Sequence, residues 1–281
     1  DTYYFATQAE NNSGQTTATP AGGGTSSTVY DSTAPAVGTV VAPAMARTSP
    51  ISVTYSGAAD ATSGLSSVTL WAKRGNGSWT NTGLTQTGWS GSFNNSPTSG
   101  ATYRFALVVK DNAGLSSPAA SGTGQASTVY DADAPAAGSL VAPATAATKP
   151  VTLTYSGAQD AVSGIKTVYL WAKKGTAGTW ARTGLTASAA SGSFAFNGIV
   201  GNDTYYFALQ ADDNAGNTSA EPTGTGLAST VFKSGLVAGA ATAPAYADSA
   251  PIAVDYLGVT DESETGIKGV YLWFKKDSGA W

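Results

Sequence analysis

The chain has 281 residues, no cysteine, no histidine and a net charge of −4. That inventory excludes disulfides, thiolate zinc sites, Ser-His-Asp triads and imidazole ligands, and 14 Lys+Arg against 18 Asp+Glu is a poor balance for holding nucleic acid. No apolar run approaches the roughly 20 residues of a membrane helix, whereas 42% hydrophobic and 10% aromatic content is enough for packed cores.

Read in chain order, the sequence repeats itself. T-Y-x-F-A stands at Thr2, Thr102 and Thr204, and T-V-Y-D at Thr28 and Thr128, returning as T-V-F-K at Thr230. A-P recurs at Pro43, Pro143 and Pro244, and L-W at Leu70, Leu170 and Leu272. A period of about 100 residues is too long for a solenoid unit and suits one domain per repeat. The divisions are 1–30, the C-terminal part of a repeat; 31–130 and 131–232, complete repeats; and 233–281, the N-terminal half of a further one. The chain therefore reads as a window on a longer array.

Within 131–232, apolar residues alternate in Val151, Leu153, Tyr155, then in Val168, Leu170, Ala172, then in Tyr205, Phe207, Leu209, Ala211. Period two marks strands half-buried on one face. Seven strands are predicted, at 137–142, 150–156, 166–173, 179–183, 191–196, 204–212 and 226–232. About 100 residues with seven short strands and no helix imply an all-β antiparallel sandwich in each repeat. In 233–281 the pattern departs: Lys233 replaces the boundary Asp, and D-E-S-E-T at 261–265 adds two acids to a loop.

The segment T-Y-Y-F-A-L-Q-A-D-D-N-A-G-N at 204–217 resembles the sixth strand of fibronectin type III and bacterial immunoglobulin-like domains. D-x-x-A-P at Asp31–Pro35 and Asp131–Pro135 resembles the opening of bacterial Ig-like repeats in large cell-surface proteins. The resemblance implies tandem seven-stranded Ig/fibronectin-III-like β-sandwiches on very short linkers. Tyr103 and Tyr205 would be tyrosine corners, and Trp71, Trp171 and Trp273 would lie on the third strand. It also implies an extracellular, bacterial surface protein whose partners are neighbouring repeats and copies of itself in a stalk, adhesin or fibre; the alternatives are a carbohydrate-binding array using the Trp-rich strands, or accessory repeats of a secreted enzyme.

Three constellations carry potential chemistry. In this topology the entry linker, the second-to-third strand loop and the sixth-to-seventh strand loop share one pole. Each holds an Asp: Asp31, Asp60 and Asp111 in one repeat, and Asp131, Asp160 and Asp213 in the next, with Asp133 and Asp212 beside them. Converging hard oxygens suit Ca²⁺, and several bacterial Ig-like arrays hold calcium at junctions. The competing reading makes these Asp residues turn-formers through side-chain to backbone bonds. Trp71, Trp79, Trp171 and Trp180, with Trp89 and Tyr169, are candidates to stack on polysaccharide, against the ordinary fate of burial. Lys73, Lys173 and Lys275 recur on the third strand. An isopeptide crosslink there lacks a recurring acid, so they are expected on a solvated strand edge. No catalytic constellation is present: there is no His partner for Ser, no phosphate loop before a helix, and no carboxylate pair across a cleft.

Overall fold

The computed structural model describes residues 1–233, 235–261 and 266–281. The chain divides into two compact units. The first comprises Asp1–Asp133 with Ala161–Ser163 and Asn214–Asn217; the second comprises Ala134–Asp160, Gly164–Asp213 and Thr218–Trp281. Among the described residues there is no helix, and so none long and apolar enough to cross a membrane.

In the first unit, β1 (Thr2–Phe5) pairs antiparallel with β2 (Ser26–Val29). The sandwich that follows is built from β3 (Thr39–Val41), β4 (Met45–Ala46), β5 (Ile51–Ser56), β6 (Leu65–Arg74), β7 (Thr80–Gln86), β8 (Ser90–Asn95), β9 (Ala101–Asp111) and β10 (Ala126–Tyr130). One sheet has the order β3-β5-β8 and the other β4-β10-β9-β6-β7. The second unit repeats this with β11 (Ser139–Val141), β12 (Thr145–Ala146), β13 (Val151–Ser156), β14 (Ile165–Lys174), β15 (Ala181–Ala187), β16 (Gly192–Phe196), β17 (Asp203–Asp213) and β18 (Ala228–Phe232). Its sheets are β11-β13-β16 and β12-β18-β17-β14-β15.

Each sandwich thus has eight strand segments where seven strands were expected. The extra one arises because the first strand breaks at the recurrent proline and changes sheets. β3 pairs with β5, Pro43 supplies no N–H to a ladder, and β4 then pairs parallel with β10 in the opposite sheet. The break is fastened by the T-V-Y motif. The buried Thr128 hydroxyl donates to the Pro43 carbonyl at 2.7 Å, and Thr230 donates to Pro143 at 2.8 Å. Two separated sequence signatures are therefore two sides of one contact.

Period-two patterning fills the cores. Ile51, Val53, Tyr55, Val68, Leu70, Phe93, Phe105, Leu107 and Val109 are buried in the first sandwich; Val151, Leu153, Tyr155, Val168, Leu170, Phe194, Phe207 and Ile199 are buried in the second. Both expected tyrosine corners are formed. Tyr103 donates to the Thr98 carbonyl at 2.9 Å, and Tyr205 to Val200 at 2.7 Å.

Two expectations are corrected. Lys73 and Lys173 do not sit on sheet edges, because β6 and β14 are interior strands flanked on both sides. Trp273 is not on a strand: described residues from 266 onward form none, and the residue is 69% exposed. β6 takes its ladder bonds from β9 and β7, whereas among the described residues none of 266–276 is paired in a ladder. The preceding residues form only short pairs, β19 (Leu236–Val237) with β22 (Thr260–Asp261) and β20 (Ala240–Thr242) with β21 (Asp255–Leu257). The acidic loop residues 262–265 lie outside the described residues.

Candidate metal centre

At one pole of the first sandwich, three carboxylates converge from three stretches of chain. Asp31 precedes β3, Asp60 follows β5, and Asp111 ends β9. One ligand oxygen from each lies within 4.8 Å of the others. Local turn chemistry explains half of each group's bonding. Asp60 Oδ1 accepts the N–H groups of Thr62, Ser63 and Gly64 at 3.0, 2.8 and 3.1 Å, closing its loop. Asp31 Oδ1 accepts from Thr33 N–H at 3.0 Å, and Asp111 Oδ1 from Leu115 N–H at 2.8 Å. Asn112 joins the two loops, its side chain donating to the Ser63 carbonyl at 2.8 Å.

The second oxygen of Asp111 is not explained by a turn. Asp111 Oδ2 is buried and has no hydrogen-bond partner, and Asp111 as a residue is only 1% exposed. Native structures rarely leave buried polar atoms unpaired, so each such atom calls for a ligand. The Asp31 carboxyl is held below its ordinary value of 3.8, chiefly by the Ser63 hydroxyl and the Thr33 N–H, so it is ionised at neutral pH. Like charges this close repel one another, and a divalent cation between them would reverse the sign of that term. Calcium binds oxygen at about 2.3–2.6 Å, so oxygens on opposite sides of one ion stand about 5 Å apart. A cluster spanning 4.8 Å lets all three reach a single ion.

The other predicted acids have individual environments. Asp131, in the first unit, is fully buried; its Oδ1 accepts from Asp133 N–H and its Oδ2 from Ser163 N–H, each at 3.2 Å. Asp133 accepts from the Ser99 hydroxyl at 3.2 Å. In the second unit, Asp160 closes its loop by accepting from Gly164 N–H at 2.9 Å, and Asp213 is buried at the end of β17. Asp212 is on the other face of that strand, where its oxygens accept from Tyr169 at 2.8 Å and Thr218 at 2.7 Å.

The tryptophans divide by what covers them. Trp79 lies beneath Lys73, with Nζ 5.1 Å from the ring centre, and Trp180 beneath Lys173 at 5.2 Å. Lys73 also donates to the Gly122 carbonyl, and Lys173 to Thr176. Trp171 is covered by Arg182 at 5.6 Å. These ring faces are occupied by cations, a arrangement that favours cation–π packing over sugar stacking. Trp71 is half-buried on the outer face of β6, and among the described residues no cation covers it. The sequence had no signal for the lysine over each ring: a spacing of six or seven residues across a turn becomes a contact only once the hairpin forms.

No family model matches the chain, and no curated protein does. Among solved structures, the FN1–FN3 domains of chicken CNTN1 are similar at 14% identity and a TM-score of 0.30, over 81% of this chain and 76% of that one. A run of titin domains is similar at 18% identity and 0.37, over 67% and 60% respectively. The fibronectin(III)-like modules of Clostridium thermocellum CbhA are similar at 13% identity and 0.32, over 69% and 94%. By its own sheet topology the chain is an all-β protein of tandem β-sandwiches.

Proposed function

We propose that this chain is a non-enzymatic segment of an extracellular repeat protein of the bacterial surface, a stalk or fibre, in which calcium fixes the chain's entry into the 31–130 sandwich. The observation that carries the calcium is the buried, unpartnered Oδ2 of Asp111 within a three-carboxylate cluster. The structural role is supported by the recurrence of one sheet topology with a separate core in each sandwich. An ion at Asp31 ties the residue that follows Tyr30 to the loops after β5 and β9, so it stiffens the point where one repeat gives way to the next.

The test is a thermal melt of the full chain in EDTA and then with added calcium. The donors come from distant stretches of chain, so the ion binds the folded form alone. It then contributes about 2.7 kcal/mol when free calcium is 100 times Kd. The expected result is a rise in midpoint with calcium, absent in Asp111→Asn, which also loses one bound ion per chain. In EDTA that variant equals or exceeds the parent, because it removes a repelling charge. A parent midpoint indifferent to calcium overturns the reading.

A further inference from the structure

The 31–130 repeat segregates its charges. It holds five Lys and Arg against three Asp, a net charge of +2, and all three Asp are in the pole cluster. Of the five cations, Lys73, Arg104 and Lys110 stand on the outer face of the five-stranded sheet, alternating with the buried residues of β6 and β9. Lys73 and Arg104 are directly opposite each other across the β6–β9 ladder. Like charges at facing positions are destabilising in a sheet, so the arrangement has a cost that an anion on this face would remove. Trp71 is paired with the small Ala106, two residues along β9 from Arg104.

The second sandwich shows what the same face looks like when it is satisfied internally. There Tyr206 stands at the position of Arg104, Asp212 at that of Lys110, and Arg182 at that of Asn81. Arg182 lies over both Tyr169 and Trp171 and donates to Gln210, while Asp212 accepts from Tyr169. In the first sandwich these closures are missing. Among the described residues, the side chains of Arg104 and Lys110 have no hydrogen bond or ion pair, and no cation covers Trp71.

We infer that the outer face of β6 and β9, with Trp71 between Arg104 and Lys110, binds an acidic polysaccharide whose uronic acids alternate with neutral sugars. The guanidinium and ammonium take carboxylates, and the indole offers flat apolar area to the C–H face of a sugar ring. Arg104 and Lys110 are six residues apart on one strand, a span of about 20 Å. A nucleic-acid strand carries a charge every ~3.4 Å and would leave most of its phosphates unmatched over that distance. A polymer with spaced charges and rings between them matches cation, ring, cation.

The probe is a hyaluronan oligosaccharide, in which glucuronic acid alternates with N-acetylglucosamine. It is titrated into the full chain by calorimetry in EDTA, which keeps the result independent of calcium at the pole. Controls are an uncharged N-acetylglucosamine oligomer and an oligothymidylate. The expected result is binding of hyaluronan alone, weakened by sodium chloride and reduced about tenfold or more by Arg104→Tyr. That substitution installs the residue that the second sandwich already carries there, so the fold is retained, and an unchanged melt verifies it. Trp71→Ala is expected to abolish the remaining binding. The inference is overturned if hyaluronan does not bind, if the neutral oligomer binds equally, if Arg104→Tyr leaves affinity unchanged, or if the oligothymidylate binds more tightly.

Discussion

Asp31 illustrates how one carboxylate serves both a turn and a site. Hydrogen bonds from Ser63 and Thr33 favour its charged form and depress its titration below 3.8. A group whose folded value is depressed adds stability above its unfolded value and loses it as pH falls through the folded value. In EDTA, stability is therefore predicted to decline as pH drops below about 4, with Asp31→Asn showing a flatter acid limb in melts across that range. Protons also compete for the cluster, so calcium's effect on the midpoint fades over the same interval. The recurrence of Asp31, Asp60 and Asp111 at loop positions was legible in the sequence, because a chain so poor in charge makes each repeated acid conspicuous. Which oxygen remains unpaired was not legible. That depends on backbone N–H groups such as those of Thr33 and Leu115, whose direction only the folded turn sets.

At the scale of strands and turns, the period-two pattern located the elements well. β13, β14, β16 and β17 fall within a residue of their predicted limits, whereas β15 starts later and runs to Ala187. The broken first strand was not anticipated. Hydrophobic alternation reports burial, and a strand that changes sheets at a proline keeps its buried face throughout. The G-T-G that precedes the last strand is explained by the tryptophan beside it. Gly124 has φ +74°, and a Cβ there would stand 2.6 Å from Trp79 Cη2 and 2.7 Å from the Phe105 carbonyl. Gly226 repeats this against Trp180 and Phe207. Gly124→Ala combines a left-handed backbone with a clash against main chain, and is predicted to cost about 1–3 kcal/mol in urea denaturation. It also displaces the indole from beneath Lys73, which near-ultraviolet circular dichroism reads separately. A spacing argument cannot see this, since Trp79 and Gly124 meet only across the folded sheet.

For the molecule as a whole, repetition is visible in the sequence but divergence is what gives the repeats their separate characters. The two sandwiches share topology, yet their cores have no residue in common, one running from Val40 to Tyr130 and the other from Leu140 to Phe232. Phe105 and Phe207 are equivalent, each fully buried against its own β6 or β14 partner strand. Truncating such a ring removes its transfer energy and leaves a cavity, at a cost of about 3–5 kcal/mol. Because each ring belongs to one core, the loss is predicted to be local. Phe105→Ala lowers the hydrogen-exchange protection of amides in β5–β10 and leaves β13–β18 at their original protection. Phe207→Ala does the converse. Peptide-resolved exchange by mass spectrometry separates the two, since the sequences of the repeats differ enough for every peptide to be assigned. Loss of protection in both sandwiches from either substitution would show that the repeats unfold as one cooperative body, and would make the array's stability a property of the chain and not of each domain.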